Sequence, residues 1–509
     1  MIRTVMASAM ALAAAACATT TYRTAEAPAP VQAADSYFVK GSTAVKTRAA
    51  ARHPKTAKNV ILFIGDGMGI STITAARIYA GQRKGLDGES YQLAMEQLPY
   101  SAFSKTYTHD SQVADSAPTA VAMTTGIKSY NGTLGITQAT NIKDCATAQG
   151  HGTTSLWELA EASGMATGVI STARITHATP GATYAETTER DWESDADVSA
   201  DGKAKGCKDI AAQLIDWTKS NGDGFEVILG GGRSGFLPDT VVDPEYPAMK
   251  GRRKDGRNLA DEWKAQAPNR TLVTDKAGFD AFDWKGKGQI FGLFEPSHMQ
   301  YDLDRPKDGK GEPTIKDMTT AAITRLSQNQ SGYVLMVEGG RVDHGLHAGD
   351  AQRALGDAAA LDEAIAAAVA ATDPEETLII VTADHSHTLV IQGYPDRGNP
   401  ILGLVKEGGK LTTARDGKPY TTLSFANGPG SVCKAQPDGK WLCDRPDLTN
   451  VDTTALGFQQ QALVPLSSET HGGEDVAIFA GGPGANLFSG AVEQNEIFHV
   501  MAQSLGLTH

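Results

Sequence analysis

Six short apolar runs punctuate the chain, and all but one run into Gly, Asp or His. They are "NVILFIGDGMG" from Asn59, "ATGVIS" from Ala166, "EVILGGG" from Glu226, "YVLMVEGG" from Tyr333, "TLIIVTADHSH" from Thr377 and "DVAIFAGG" from Asp475. Continuous runs of β-branched and large apolar residues, without polar alternation, describe strands covered on both faces. Helical spacing lies between them, as at Leu355, Ala358, Leu361, Ile365 and Val369. The alternation predicts an α/β fold, a three-layer α/β/α sandwich around a mostly parallel central sheet. In such sheets functional groups gather just beyond the carboxyl ends of the strands, so the charged residues that follow these runs are the first candidates.

The chain has 509 residues, which fits one large α/β domain with insertions better than a simple core. A formal net charge of -13 argues against a phosphate-backbone binder, so no nucleic-acid partner is expected. Residues 1–17, "MIRTVMASAMALAAAAC", read as a secretory signal. The Ala-Ala-Ala-Cys ending also resembles a lipoprotein signal in which Cys17 becomes a lipid anchor, and ordinary signal cleavage is the rival. Either implies an exported protein: periplasmic, anchored to the outer membrane or secreted. Residues 18–55, with "EAPAPVQAAD", read as a flexible linker, and 56–509 as the folded body. Within that body the pattern loosens over 393–465 into Gly, Pro, Thr and Asp, the mark of an insertion. Setting Cys17 aside leaves an even number of cysteines in an exported chain, which predicts two disulfides. Locality pairs Cys433 with Cys443 and leaves Cys145 with Cys207. No CxxC spacing points to thiolate metal ligands.

The chemistry-bearing residues follow the runs. "YVLMVEGGRVDHGLHAGD" gathers Glu338, Arg341, Asp343, His344, His347 and Asp350. If its second half is helical, Asp343 and His347 share a face, four residues apart, and can share one metal ion. "IGDGMG" exposes Asp66 at a strand tip, "TADHSH" supplies Asp384, His385 and His387, and "ETHGGED" supplies His471. In "HDSQVADSAPTAVAMTTG", Ser116 follows Asp115 where a helix can start. A serine there is either a nucleophile favoured by the helix dipole or part of an N-cap. No histidine base stands in that motif, so activation by metal is more natural than a serine triad. Asp, Glu and His ligands with no thiolate, after four strands of one sheet, suit zinc and harder divalent ions.

Together, Gly-Asp-Gly, Asp-Ser-Ala, His-Ala-Thr-Pro, Glu-Gly-Gly-Arg-x-Asp-His-Gly-x-His, Ala-Asp-His-Ser-His and Glu-Thr-His resemble the alkaline phosphatase family, closest to its animal-type branch, from about Asn59 onward. The resemblance implies hydrolysis of phosphate monoesters at alkaline pH through a phosphoserine, with broad substrate tolerance. It implies two zinc ions and one magnesium ion per subunit. Asp343, His347 and His471 hold one zinc. Asp66, Asp384 and His385 hold the other, joined by Ser116 as nucleophile. Asp66, Thr179 and Glu338 hold magnesium. Arg190, in "ERDWESDAD", matches the guanidinium that forks onto two phosphoryl oxygens.

His177 and His344 stand where the best-studied bacterial members carry Asp and Lys, behind the metal ligands, and here match the animal-type pattern. Loss of a carboxylate there predicts looser magnesium binding and entry of zinc at that site. "DPEYP", "GLFEP" and "GEPTI" resemble the segments of an animal-type calcium site, pointing to Glu245, the Phe294 carbonyl, Glu295 and Glu312. The family also implies a homodimer, with residues 393–465 matching the crown-like insertion at its interface. Two related hydrolase classes fit less well. "DSAPTA" lacks the arginine of a sulfatase motif, and diesterases lack the counterpart of Arg190.

Overall fold

The computed structural model describes residues 28–52 and 54–507. The signal segment and Cys17 lie outside the described residues. Ten strands form the central sheet: β1 (Asn59–Gly65), β2 (Tyr100–Lys105), β3 (Ala166–Arg174), β4 (Val227–Gly231), β5 (Arg270–Val273), β6 (Gln289–Leu293), β7 (Tyr333–Gly339), β8 (Thr377–Ala383), β9 (Val476–Gly481) and β10 (Ala491–Glu493). Their order across the sheet is β10-β2-β9-β8-β1-β7-β3-β4-β6-β5. Every pairing is parallel except those of β9 with β2 and β8.

Two helix layers explain why the apolar runs do not alternate. In β1, Val60, Leu62 and Ile64 join one core while Ile61 and Phe63 join the other, so all of β1 is buried. Strands β2, β5, β6 and β10 were not among the six runs. β5 and β10 sit at the sheet edges with β6 and β2 beside them; β2 alternates exposed and buried residues near its middle, and β5, β6 and β10 are five residues or fewer. These strands offer little or no unbroken apolar stretch to detect. The helical spacing from Leu355 becomes a helix spanning Ala351–Ala371, whose buried stripe runs through Leu355, Ala358, Leu361, Ile365 and Ala368. Val369 lies outside the stripe and is exposed.

The expected linker departs from its reading over its second half, where helix α1 (Ser36–Arg52) docks on α2, our label for Glu496–Leu505. The Phe38 ring packs on Phe498 and His499 with centroids 5.7 and 4.6 Å away, Val45 is buried, and Arg48 pairs with Glu496. Gly41 permits this approach, because a Cβ there would sit 2.5 Å from the His499 ring. An Ala/Thr-rich composition hides these few anchors, which act only against a partner helix distant in sequence. Residues 393–465 carry hairpins and most of a small sheet of Leu389–Ile391, Leu423–Gly428 and Ala462–Pro465. The disulfides are Cys145–Cys207 and Cys433–Cys443, as locality suggested.

At the end of the sheet away from the candidate ligands, Glu161 and Glu226 are both buried against Thr167. The Thr167 hydroxyl donates to Glu161 (2.5 Å) and its N–H to Glu226 (2.7 Å). Burial, and then the neighbouring Glu226, push the Glu161 carboxyl up to about 9. Burial, and then Asp223, push Glu226 up to about 8, with Arg325 pulling it back. Folded values above the unfolded one mean stability that is full below about pH 4.5 and lost as pH rises through 8 and 9. Calorimetric melting from about pH 5 to 8 should therefore fall less steeply for Glu226→Gln than for the parent. Parallel curves would refute the assignment.

Candidate metal centre

The strand ends deliver their side chains to one place. Asp66 leaves β1, Glu338 lies in β7, Asp384 and His385 follow β8, and His471 precedes β9. Gly340 leads into a helical turn spanning Arg341–His347, which sets Asp343 and His347 on one face, as their spacing required. Ser116 is the first residue of helix Ser116–Thr125, and Asp115 caps it by accepting from the Ala117 N–H. The cap of that motif is therefore Asp115, and the Ser116 hydroxyl takes no part in it.

Three clusters emerge. In the first, Asp343 Oδ1 lies 3.4 Å from His347 Nε2 and 3.5 Å from His471 Nε2, and the two imidazole nitrogens are 3.1 Å apart. The other nitrogen of His347 faces the Glu469 carbonyl and that of His471 the Ala114 carbonyl. Backbone acceptors at Nδ1 fix the tautomer that leaves Nε2 bare. In the second, His385 Nε2 is 3.5 Å from Asp66 Oδ1, 3.3 Å from Asp384 Oδ2 and 3.1 Å from Ser116 Oγ. The third joins Asp66, His177 and Glu338. Ser171 donates to the other oxygen of Glu338 and holds that side chain in place.

Charge and satisfaction test whether these residues suit metal ions. Both oxygens of Asp66, Oδ2 of Asp384, Oε1 of Glu338, Oγ1 of Thr179 and Nδ1 of His177 are buried without a hydrogen-bond partner. Orphaned acceptors of this kind are costly, and here they converge, so divalent cations fit the donor set. Burial, then Asp384, Asp343 and Glu338, hold the Asp66 carboxyl well above its usual range. Burial likewise raises Glu338 to about 7. Burial also pushes Asp343 upward, but His387 donating to it and the neighbouring His471 outweigh that and leave it well below the carboxylate range.

Arg190 approaches from the side. Its Nη1 bonds Asp115 and its Nη2 lies 2.9 Å from His177 Nε2. Burial raises Asp115, but the Arg190 charge outweighs it and keeps the carboxyl ionised.

Several participants were not assigned from sequence. His387 joins Asp343 (2.7 Å) to Glu469, and Glu469 also accepts from the Thr388 N–H (2.7 Å) and hydroxyl (2.6 Å). Burial lowers the His387 imidazole, but these two carboxylates outweigh it and raise it to about 9. Its Asp-His-Ser-His position was a signal for it, whereas Glu469 had none beyond standing near His471. Glu245 and Glu295 cluster with Asp308, a residue the sequence did not single out. Glu312 is outside that trio, bonded through one oxygen to the Gln300 N–H (3.0 Å), with its other oxygen orphaned. Phe294 is buried just after β6.

Comparison with known proteins converges on one family. The family model described as Alkaline phosphatase matches residues 57–507. The tissue-nonspecific alkaline phosphatase isozyme of Felis catus is 44% identical over 451 residues, covering 87% of this chain and 83% of that protein. An alkaline phosphatase of Gadus morhua is 43% identical, covering 88% and 91%. The crystal structure of Thermus thermophilus alkaline phosphatase superposes with a TM-score of 0.62 at 25% identity, covering 91% of this chain and 94% of its own.

Proposed function

This chain belongs to the alkaline phosphatase family, and on that premise we propose that Ser116 is the nucleophile of its phosphate-monoester hydrolysis and Arg190 the clamp on the phosphoryl group. Asp343, His347 and His471 would hold one zinc, Asp66, Asp384 and His385 with Ser116 a second, and Asp66, Thr179 and Glu338 a magnesium; when bound, these ions supply Lewis-acid stabilisation of the attacking and leaving oxygens.

The chain's own residues do the rest. Ser116 Oγ, at a helix N-terminus where the dipole favours negative charge, gives up its proton and bonds to phosphorus while the ester oxygen departs as alcohol. Water then attacks the phosphoserine, the bond from phosphorus to Oγ breaks, inorganic phosphate leaves and the serine recovers a proton. Arg190 meets two phosphoryl oxygens with two parallel N–H donors, oriented by Asp115 and His177. His387 and Glu469 hold Asp343 in its ligating pose. A site that grips the phosphoryl group by charge demands little of the leaving group, which supports broad substrate use.

The observation that carries this reading is the Ser116 hydroxyl, 3.1 Å from His385 Nε2 at the head of its helix. Acid quench during turnover, followed by peptide mass spectrometry, should find phosphate on Ser116; phosphate on another residue would overturn the assignment.

Calcium is assigned to Glu245, Glu295 and Asp308, hard oxygen donors suited to it. Burial and Asp308 raise Glu245 to about 7, so calcium binding near neutral pH should release protons. Titration calorimetry of the zinc- and magnesium-loaded protein in buffers of different ionisation heat measures that release, and Asp308→Asn should abolish the calcium heat while Glu312→Gln only weakens it. Equal retention of binding in both variants would argue against Asp308. The proposal further includes a homodimer through residues 393–465 and a location outside the cytoplasm, periplasmic, held at the outer membrane through Cys17 or secreted. Two disulfides in one chain support the oxidising compartment.

A further inference from the structure

A third imidazole leans on His177 and His344. His298 lies in the loop after β6, its ring centroid 4.0 Å from that of His344 and 5.3 Å from that of His177, the latter edge-on at 80°. The loop is pinned. The Met299 N–H donates to the Thr172 carbonyl (3.0 Å) and the Gly232 N–H to the Ser297 carbonyl (2.6 Å). Gly231 makes the approach possible, because a Cβ there would stand 2.1 Å from the Ser297 carbonyl oxygen.

His298 is in turn tied to the phosphate clamp from behind. Arg174 Nη1 bonds His298 Nε2, and its Nε and Nη2 fork onto Glu193 (2.7 and 2.5 Å). Glu193 also accepts from the hydroxyl of Thr176 (2.6 Å), the residue before His177. Glu193 belongs to the same loop as Arg190, whose Nη2 bonds His177 Nε2. The contacts therefore close a ring, Arg190 to His177 to His298 to Arg174 to Glu193 and back along the chain to Arg190. Flanking guanidiniums, Arg174 bonded to His298 and Arg341 3.3 Å from His344, make the His298 and His344 end of the trio hostile to a cation.

We propose that His298 is a positioning residue for Arg190: its ring, held by Arg174, braces the edge of His177 so that His177 Nε2 stays aimed at the Arg190 fork. An arginine clamp with one side chain free to swing loses the bidentate geometry that distinguishes it from a point charge. The inference rests on the reading of Arg190 as the phosphoryl clamp, and the experiment separates the two.

With enzyme loaded with zinc and magnesium, inorganic phosphate is titrated calorimetrically, and KM and kcat are measured on a chromogenic aryl phosphate at alkaline pH. For His298→Ala, phosphate Kd and KM should rise together by about tenfold while kcat moves less than about twofold. In an Arg190→Ala background the same change should add nothing, the non-additivity of residues that act as a unit. His298→Gln, which keeps an acceptor for Arg174 and much of the volume, should recover most of the affinity and guards against a folding defect. An unaltered Kd in His298→Ala, or an equal loss in both backgrounds, overturns the positioning role. Arg190→Ala alone leaving phosphate affinity unchanged would instead overturn the clamp itself.

Discussion

Replacing Ser116 with alanine should lower kcat/KM by about five orders of magnitude, because no other hydroxyl occupies the head of that helix among the candidate ligands. The variant should fold normally. Asp115, not Ser116, caps the helix through the Ala117 N–H, and the Ser116 hydroxyl bonds His385, a residue of the site itself. Inorganic phosphate should still bind within about tenfold of the parent affinity, since Arg190 keeps Asp115 and His177 as its guides. Steady-state kinetics with an aryl phosphate and calorimetry with phosphate measure both quantities on one preparation. Turnover within tenfold of the parent would mean that another atom attacks phosphorus.

Stripping divalent ions with a chelator should abolish turnover and lower the melting temperature by roughly 10 °C. The reason is electrostatic. Asp66, Glu338, Asp343 and Asp384 are buried together, and the nearest positive side chains are already committed: Arg190 to Asp115 and His387 to Asp343 and Glu469. Without cations these carboxylates repel one another in a medium that screens poorly. Readdition of zinc with magnesium should restore both activity and melting temperature; recovery of activity by zinc alone would mean that the third cluster does not require magnesium. A stripped protein that keeps its full turnover would contradict the metal-dependent chemistry outright.

What could be read from the sequence was whatever needed no partner. Six of the covered strands announced themselves, because helices on both faces demand unbroken apolar runs, as in β1 and β7, whereas β6, buried but only five residues long, did not. Asp66, Glu338, Asp343, Asp384 and His385 were legible because each stands in or directly after such a run, where a parallel sheet collects its ends. Asp308, Glu469, Ser171 and His298 were not. Their roles exist only through distant segments: Asp308 beside Glu245 and Glu295, Glu469 under His387, Ser171 against Glu338 and His298 between His177 and Arg174. The edge strands and α1 escaped for the matching reason, since half-covered elements carry half the apolar signal.

The proposed ligands span the chain from Asp66, just after the first strand, to His471, which follows the inserted region and precedes β9. A polypeptide emerging from its N-terminus therefore carries an unfinished cage for most of its synthesis, lacking the imidazole that completes the Asp343 and His347 cluster. Ion capture becomes a late event in biogenesis, contingent on the inserted region having folded back far enough to deliver His471. Truncations or misfolding in that region, however remote they look from the serine, should leave the Asp343 and His347 cluster without its ion, and metal content per molecule becomes a direct report on whether His471 has reached its native place.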